Sequence, residues 1–256
     1  MKKILKKILK LFSLELRRLN VEQRFNNFKY VYKSKVKSSP VIFDIGANEG
    51  QSIERFKSMF PSATIHAFEP DVDLFSILKK KYGKDKNIVL NNLAVGNKSE
   101  LKNFNVHARS ETSSFLKLKR GSNWLKERAA QYDTTPDHFT TKIVEVEVVT
   151  IDQYAKKYNI DFIDILKSDT QGFDDKVIEG CKRLIENKLI SFLELEIIFD
   201  DVYENYFSFS DYEKLILPSG YRMVGLKTSG SDLYSSINFF ADVLYFNDIT
   251  SKENEY

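Results

Sequence analysis

The stretch that most constrains this chain is an apolar run that ends in a carboxylate and continues into a glycine-spaced turn, Val41-Ile42-Phe43-Asp44-Ile45-Gly46-Ala47-Asn48-Glu49-Gly50. The run has the length and composition of a buried parallel strand, and a helix is predicted from Ser52 to Met59. Gly46 and Gly50 then fall on a strand-to-helix turn, where glycine permits a tight turn and a helix start presents unpaired N–H groups. This arrangement predicts a nucleotide-binding site that includes Asn48.

Asp44 narrows the choice of ligand. A carboxylate beside the turn repels a pyrophosphate and attracts an ammonium group, so a nucleoside that carries an amino acid is favoured over a dinucleotide. S-adenosylmethionine has such a group. A dinucleotide enzyme would show G-x-G-x-x-G, whereas the second glycine position here is Asn48.

The next strands supply further cofactor residues. Thr64 to Phe68 is predicted to be a strand that ends at Glu69, and Pro70 stiffens the turn after it. In nucleotide-binding α/β folds a carboxylate about twenty residues past the glycines accepts hydrogen bonds from the ribose hydroxyls, and Glu69 suits that role. The third strand-like run, Ile88 to Val95, places Asn92 and Ala94 where an adenine would rest.

Three acidic residues follow at or in later strands. Asp169 comes just after a predicted strand from Phe162 to Leu166, and a helix is predicted from Val177 to Glu186. Glu194 and Glu196 share one side of a predicted strand from Leu189 to Ile198. We expect Asp169 to face the crevice of the glycine turn, where it would contact the cofactor near the transferred methyl and orient or deprotonate an acceptor hydroxyl. Glu196 is a further catalytic candidate. The alternatives are a magnesium site built from all three carboxylates, which is not favoured, and an Asp169 that only caps the next helix.

Residues 109–141 form the least regular stretch, between alternating strands predicted at Leu101 to Val106 and Lys142 to Val149. Long insertions of this kind are often lids or binding loops, and surface decoration is the competing interpretation. His138, in this insertion, is a further candidate for the base.

The composition limits which classes of protein this chain can belong to. The 256 residues include 39 basic and 36 acidic ones, a net charge of +3 that is too balanced for a nucleic-acid binder. A single cysteine, Cys181, excludes an internal disulfide and fits a cytoplasmic location. We predict one α/β domain over residues 40–250, preceded by an extension over residues 1–39.

The extension begins with a basic amphipathic helix, Met1 to Asn20. Lysines interrupt it too often for a membrane span, and it has no small-residue cleavage site of a signal peptide. It is expected either to pack on the domain or a second subunit, or to make peripheral contact with the inner face of a membrane.

Several motifs occur in order along the chain: Asp44-Ile45-Gly46-Ala47-Asn48-Glu49-Gly50, Phe68-Glu69-Pro70, Asn92-Leu93-Ala94-Val95-Gly96, Ser113-Ser114, Val149-Thr150-Ile151-Asp152, Leu166-Lys167-Ser168-Asp169-Thr170-Gln171-Gly172 and Gly220-Tyr221. Together they resemble the FkbM family of S-adenosylmethionine-dependent methyltransferases, over about residues 40–246. The resemblance implies a Rossmann-like, seven-stranded, mostly parallel sheet with helices on both faces and an antiparallel last strand. It also implies methyl transfer to an oxygen, commonly a hydroxyl of a sugar, as in a polysaccharide, glycolipid or other glycoconjugate, or of another secondary metabolite. Where many members carry a glutamate before the glycine of the fourth-strand motif, this chain has Gln171.

Three classes of function are therefore compatible with the sequence. The first is an S-adenosylmethionine-dependent O-methyltransferase, which the glycine turn favours. The second is a nicotinamide-dependent sugar oxidoreductase, which would also use glycines and an acid on the second strand. The third is a non-catalytic, membrane-associated binding module, which predicts no cofactor uptake.

Overall fold

A computed structural model describes residues 27–199, 202–229 and 239–247. The helix predicted from Met1 to Asn20 lies outside these residues. The strands are β1 (Val41–Ile45), β2 (Thr64–Phe68), β3 (Ile88–Asn91), β4 (Ala94–Val95), β5 (Glu100–His107), β6 (Thr140–Val149), β7 (Ile163–Ser168), β8 (Ile190–Ile198), β9 (Arg222–Ser229) and β10 (Phe240–Phe246). The helices are α1 (Phe28–Lys35), α2 (Gln51–Met59), α3 (Val72–Tyr82), α4 (Asn123–Gln131), α5 (Ile151–Lys157), α6 (Asp174–Glu179), α7 (Lys182–Glu186) and α8 (Phe209–Ile216).

The main sheet of the described chain has seven strands in the order β3-β2-β1-β7-β8-β10-β9. The first five are parallel to one another, whereas β10 runs antiparallel to both β8 and β9. This confirms the predicted α/β architecture with its reversed last strand. Because β1 lies beside both β2 and β7, the chain order reverses at its carboxyl end, where a ligand crevice forms in open α/β sheets.

Apolar helix faces cover both sides of the sheet. One side packs against α1, α2 and α3, through buried residues such as Tyr32, Phe56 and Leu78. The other side packs against α5 to α8, through buried residues such as Tyr154 and Tyr212. The central strands are therefore buried on both faces, which explains their nearly continuous apolar sequences.

Two predicted elements differ from the structure. The run from Ile88 to Val95 divides, because the chain leaves the main sheet after β3 and β4 pairs with β6 in a second sheet of order β4-β6-β5. The helix predicted from Val177 to Glu186 divides into α6 and α7. At that break Gly180 packs so closely on Gly96 that an added Cβ would lie 2.1 Å from the Gly96 carbonyl oxygen.

The insertion over residues 109–141 is structured in the described chain. It contains α4 and two 3-10 turns, Ser110–Thr112 and Pro136–His138. Trp124 and Phe139 of the insertion form an apolar cluster with Tyr203, which follows β8. No helix among the described residues is long and apolar enough to cross a membrane.

Candidate active site

The glycine turn lies against the end of β7. Gly46 has a φ of +76°, and an added Cβ would lie 2.0 Å from the backbone oxygen of Asp169. The Asp169 N–H in turn donates to the carbonyl of Ile45. Only glycine fits at position 46, and this close contact places Asp169 beside the turn.

Glu69 connects the turn to the end of β2. Its carboxylate accepts the backbone N–H of Asn48 at 2.8 Å and that of Asp71 at 2.9 Å. The side chain of Asn92 donates to the carbonyls of Glu69 and Pro70, which braces this acidic turn. Burial raises the pKa of Glu69 to about 7, against the opposing effect of the two backbone hydrogen bonds.

A cleft opens between these segments at the carboxyl ends of β1, β2 and β7. Six of the residues predicted to bind the cofactor line it: Gly46, Asn48, Glu69, Pro70, Ala94 and Asp169. The lining also includes apolar side chains from several elements: Phe68, Leu74, Leu93, Val95, Phe104 and Phe115. The structure thus brings most of the cofactor candidates together around one cleft.

Three other predicted cofactor residues lie around the cleft without lining it. Gly50, with a φ of +95°, begins α2, and an added Cβ would meet the ring of Tyr82 at 2.5 Å. Gly50 is therefore required by packing. Asn92 supports the Glu69 turn from outside, and Asp44 is fully buried behind the cleft.

Asp44 is predicted from the sequence to attract the ammonium group of a cofactor, and in the structure it faces the side chain of Lys167. Its Oδ1 lies 3.7 Å from the ammonium nitrogen of Lys167 on the adjacent strand β7. The ammonium group that it faces thus belongs to the chain itself. Burial raises the pKa of Asp44 to about 6, and Lys167 is the main opposing influence.

Asp169 is held from two sides. The ammonium of Lys167 lies 3.3 Å from its Oδ2, and the amide of Gln171 donates to its Oδ1 at 2.9 Å. Gln171 has a left-handed backbone with a φ of +55°, which few non-glycine residues adopt. Sequence reasoning missed Lys167 as a site residue. The available signal was a lysine in a buried core strand, a place where unpaired lysine is rarely found.

Glu196 and Glu194 have separate roles. Glu196 accepts a hydrogen bond from the same Gln171 amide, and burial together with the nearby carboxylates raises its pKa well above the usual range. Glu194 is bound by the Arg55 guanidinium at 2.7 and 3.1 Å and by the Tyr32 hydroxyl at 2.5 Å. The two oxygens of Glu194 thus serve the packing of α1 and α2 on the sheet.

The three carboxylates considered for magnesium do not converge. Within residues 27–199, 202–229 and 239–247, no group of three His, Cys, Asp or Glu side chains has an arrangement that could bind a metal ion. The ion pair with Arg55 accounts for the divergence, because it draws Glu194 toward α2.

His138 lies away from the cleft. It is exposed in the 3-10 turn Pro136–His138, and its Nδ1 contacts the hydroxyl of Thr135 at 2.8 Å. It does not line the cleft, so the structure does not bring this base candidate to Asp169. His107 is buried instead, and its burial lowers its pKa to about 4.

The insertion contributes one wall of the cleft. Ser110, Glu111 and Ser113 line it. Of these, only Ser113 belongs to a motif seen in the sequence, and none of the three was predicted to be a site residue. A hydrogen-bond path connects this wall to Asp169: the Tyr203 hydroxyl donates to the carbonyl of Thr112 at 2.6 Å and lies 3.1 Å from Oε1 of Gln171. The wall is thus continuous with the acidic end of the site.

The chain is similar to known methyltransferases in sequence and in fold. The methyltransferase FkbM domain family matches residues 44–223. The 2-O-methyltransferase NoeI of Sinorhizobium fredii (strain NBRC 101917 / NGR234) is 25% identical over 168 residues, which cover 66% of this chain and 67% of NoeI. The crystal structure of methyltransferase FkbM from Methylobacillus flagellatus KT superposes with a TM-score of 0.53 at 16% identity. That match covers 88% of this chain, which spans about half (49%) of the solved chain, and it shows a shared fold. Since the family match covers most of the chain, the protein belongs to the FkbM methyltransferase family.

Proposed function

We propose that this protein transfers the methyl group of S-adenosylmethionine to a hydroxyl oxygen of a sugar-like acceptor. The observation that carries the proposal is a single cleft with Glu69 at one end and Asp169 at the other, both beside the glycine turn. Membership of the FkbM methyltransferase family supports methyl transfer over the nicotinamide-dependent and non-catalytic alternatives. The name of the relative NoeI, a 2-O-methyltransferase, supports oxygen as the acceptor atom.

The cleft suits the proposed cofactor. Each oxygen of Glu69 accepts one backbone N–H and keeps a second lone pair, so the carboxylate can still accept two ribose hydroxyls. Pro70, Leu74 and Val95 provide apolar surface next to Glu69 for an adenine ring. When bound there, S-adenosylmethionine supplies an activated methyl group, and the protein has to align the acceptor and exclude water.

Asp169 is the group proposed to receive the proton of the acceptor hydroxyl. Lys167 and Gln171 each occupy one of its oxygens and fix the plane of the carboxylate, which leaves further lone pairs directed to the cleft. Glu196 does not line the cleft, so we assign it a supporting role through Gln171. His138 has no part in this proposal.

The wall formed by the insertion suits a polyhydroxylated acceptor. Ser110, Ser113 and Glu111 offer hydroxyl and carboxylate groups. Phe115 of the insertion and Phe104 of the neighbouring β5 offer aromatic faces. Hydroxyl groups and ring faces of a sugar pair with these two kinds of surface. If the acceptor is attached to a lipid or polysaccharide, the predicted basic helix from Met1 to Asn20, outside the described residues, would bring the enzyme to the membrane.

Calorimetry with S-adenosylhomocysteine and with NAD tests the class of enzyme without knowledge of the acceptor. We expect S-adenosylhomocysteine to bind and NAD not to bind. Binding of NAD alone would replace the proposal with the oxidoreductase, and binding of neither ligand would favour the non-catalytic module. Methyl-labelled S-adenosylmethionine can then be used to screen saccharides, where label on nitrogen or carbon would contradict the assignment to oxygen.

A further inference from the structure

Gln171, which lines the cleft beside Asp169, has an unusual backbone. Its φ of +55° and the φ of +88° at Gly172 give the chain two successive left-handed residues. A left-handed residue other than glycine is strained and persists only where its surroundings hold it, as they often do in active sites. The hydroxyl of Ser114, a fully buried residue of the insertion, donates to the Gln171 carbonyl at 2.8 Å. The insertion therefore holds the backbone of Gln171 in this conformation.

The side-chain amide of Gln171 is held at both ends. Its NH2 group donates to Oδ1 of Asp169 at 2.9 Å and to the carboxyl group of Glu196. Its oxygen lies 3.1 Å from the hydroxyl of Tyr203. An amide has two donors on nitrogen and an acceptor on oxygen, so each end of this side chain meets a partner of the opposite kind. Rotation of the amide by half a turn would bring its oxygen against Asp169, which is itself an acceptor.

Tyr203 takes its own position from the insertion. Its side chain is 1% exposed and belongs to the apolar cluster of the insertion, and a short antiparallel bridge pairs it with Leu118. Its hydroxyl has one proton for two carbonyl oxygens, that of Thr112 at 2.6 Å and that of the Gln171 side chain at 3.1 Å. The hydroxyl thus connects the packed interior of the insertion to the amide that faces Asp169.

We propose that Tyr203 is a positioning residue, which holds the oxygen end of the Gln171 amide so that the NH2 end stays on Asp169. The insertion then orients the base in addition to forming a wall of the cleft. The inference rests on the proposed function, because it takes Asp169 as the base. Displacement of a reacting group by about 1 Å can lower turnover about 100-fold, so loss of this hydroxyl should slow methyl transfer without weakening cofactor binding.

The first test needs no acceptor. In nitrogen–proton NMR spectra of the whole protein, the NH2 signals of Gln171 are identified by their absence from Gln171→Ala. Tyr203→Phe keeps the ring and removes only the hydroxyl, and it should shift these signals and speed their exchange with water by about 2–10-fold, the range for one hydrogen bond. Tyr221→Phe is the matched control and should leave them unchanged, because Tyr221 is fully buried, donates to the Ile190 carbonyl at 2.7 Å and does not line the cleft.

The second test measures turnover with methyl-labelled S-adenosylmethionine and the saccharide that accepts the label in the screen described above. Tyr203→Phe should lower kcat by about tenfold or more and leave the dissociation constant of S-adenosylhomocysteine unchanged. Gln171→Ala should show the same selective loss of kcat. In a chain that already carries Gln171→Ala, Tyr203→Phe should have no further effect, because the hydroxyl acts through that amide. Tyr221→Phe should leave kcat unchanged.

The inference is overturned if Tyr203→Phe leaves the Gln171 signals unchanged, if Gln171→Ala keeps the parent kcat, or if Tyr203→Phe lowers kcat equally with and without Gln171. Equal effects of Tyr203→Phe and Tyr221→Phe would also overturn it, since they would indicate a general loss of stability. Those outcomes would leave the proposed function intact. Failure of the parent protein to bind S-adenosylhomocysteine would contradict the proposed function, and the NMR comparison would still decide whether Tyr203 positions Gln171.

Discussion

Glu69 offers the most direct test of the cofactor site. In Glu69→Gln one oxygen becomes an NH2 group, which would face the backbone N–H of Asn48 or of Asp71. The variant also lacks the negatively charged carboxylate whose oxygens would accept hydrogen bonds from the ribose hydroxyls. Hydrogen bonds to a charged group contribute about 1.5–3 kcal/mol. We therefore expect S-adenosylhomocysteine to bind about 10–150-fold more weakly at pH 8.

The pH dependence of binding adds a second, independent readout. Because burial raises the pKa of Glu69 to about 7, the carboxylate takes up a proton as the pH falls from 8 to 6. The affinity of the parent protein should fall by up to about tenfold over this range, whereas that of Glu69→Gln should not change through this group. The contribution of Glu69 to the stability of the free protein has the opposite sign: it is fully present below the unfolded pKa near 4.5 and is lost as the pH rises through 7.

Isothermal titration calorimetry with S-adenosylhomocysteine at pH 6, 7 and 8 measures both effects, with circular dichroism to establish that the variant is folded. Asp73→Asn is the matched control, because Asp73 lies at the start of α3 with a largely exposed side chain and pairs with Lys142. Equal affinities of the parent and Glu69→Gln at pH 8, in folded protein, would refute the assignment of Glu69 to the ribose. An affinity of the parent protein that is constant from pH 6 to 8 would refute the argument from its pKa.

Three further outcomes are expected. At saturating S-adenosylmethionine, with an acceptor found by the saccharide screen, Asp169→Asn should lower turnover by about 10²–10⁴-fold, the range for loss of general-base help, and turnover at the parent rate would remove Asp169 from catalysis. Tyr32→Phe should lower the free energy of unfolding by about 1.5–3 kcal/mol, because it removes a buried hydrogen bond to Glu194, whereas Tyr158→Phe at an exposed site should change it by less than about 0.5 kcal/mol; equal urea midpoints for the two variants would contradict this. The full chain should float with anionic vesicles better than a chain that starts at Val21, at about 1 kcal/mol per basic residue near the surface, and equal recovery would favour a helix that packs on protein.

Local sequence was sufficient to predict the strand, turn and helix around Gly46 and the position of Glu69 at a strand end. An apolar run, a glycine-spaced turn and a helical period each act over a few residues, so they can be recognised without knowledge of the rest of the chain. The parallel α/β sheet follows from the alternation of such units. In such a sheet a ligand crevice forms where the strand order reverses, and this point lies beside β1.

The partners of the charged side chains were decided by the tertiary structure. Asp44 and Lys167 are far apart in sequence but lie opposite one another in the register of β1 and β7. Glu194 and Glu196 have the same two-residue spacing as a pair that could share a ligand, yet one meets Arg55 of α2 and the other meets Gln171. Strand pairing and helix packing set these neighbours, and neither leaves a local pattern in the sequence.

The place of His138 illustrates the same limit. A histidine in a long insertion beside a predicted site is a reasonable candidate for a base, but the insertion packs through Trp124 and Phe139 and leaves His138 exposed. The same packing brings Ser110, which has no distinctive pattern, to the cleft together with Ser113. The sequence by itself thus determined the strand, the glycine turn and the acidic strand end at which we propose that the cofactor binds, because each is a short local motif. Only the tertiary structure decided which side chains line the rest of the cleft, because those come from segments brought together by packing over long sequence distances.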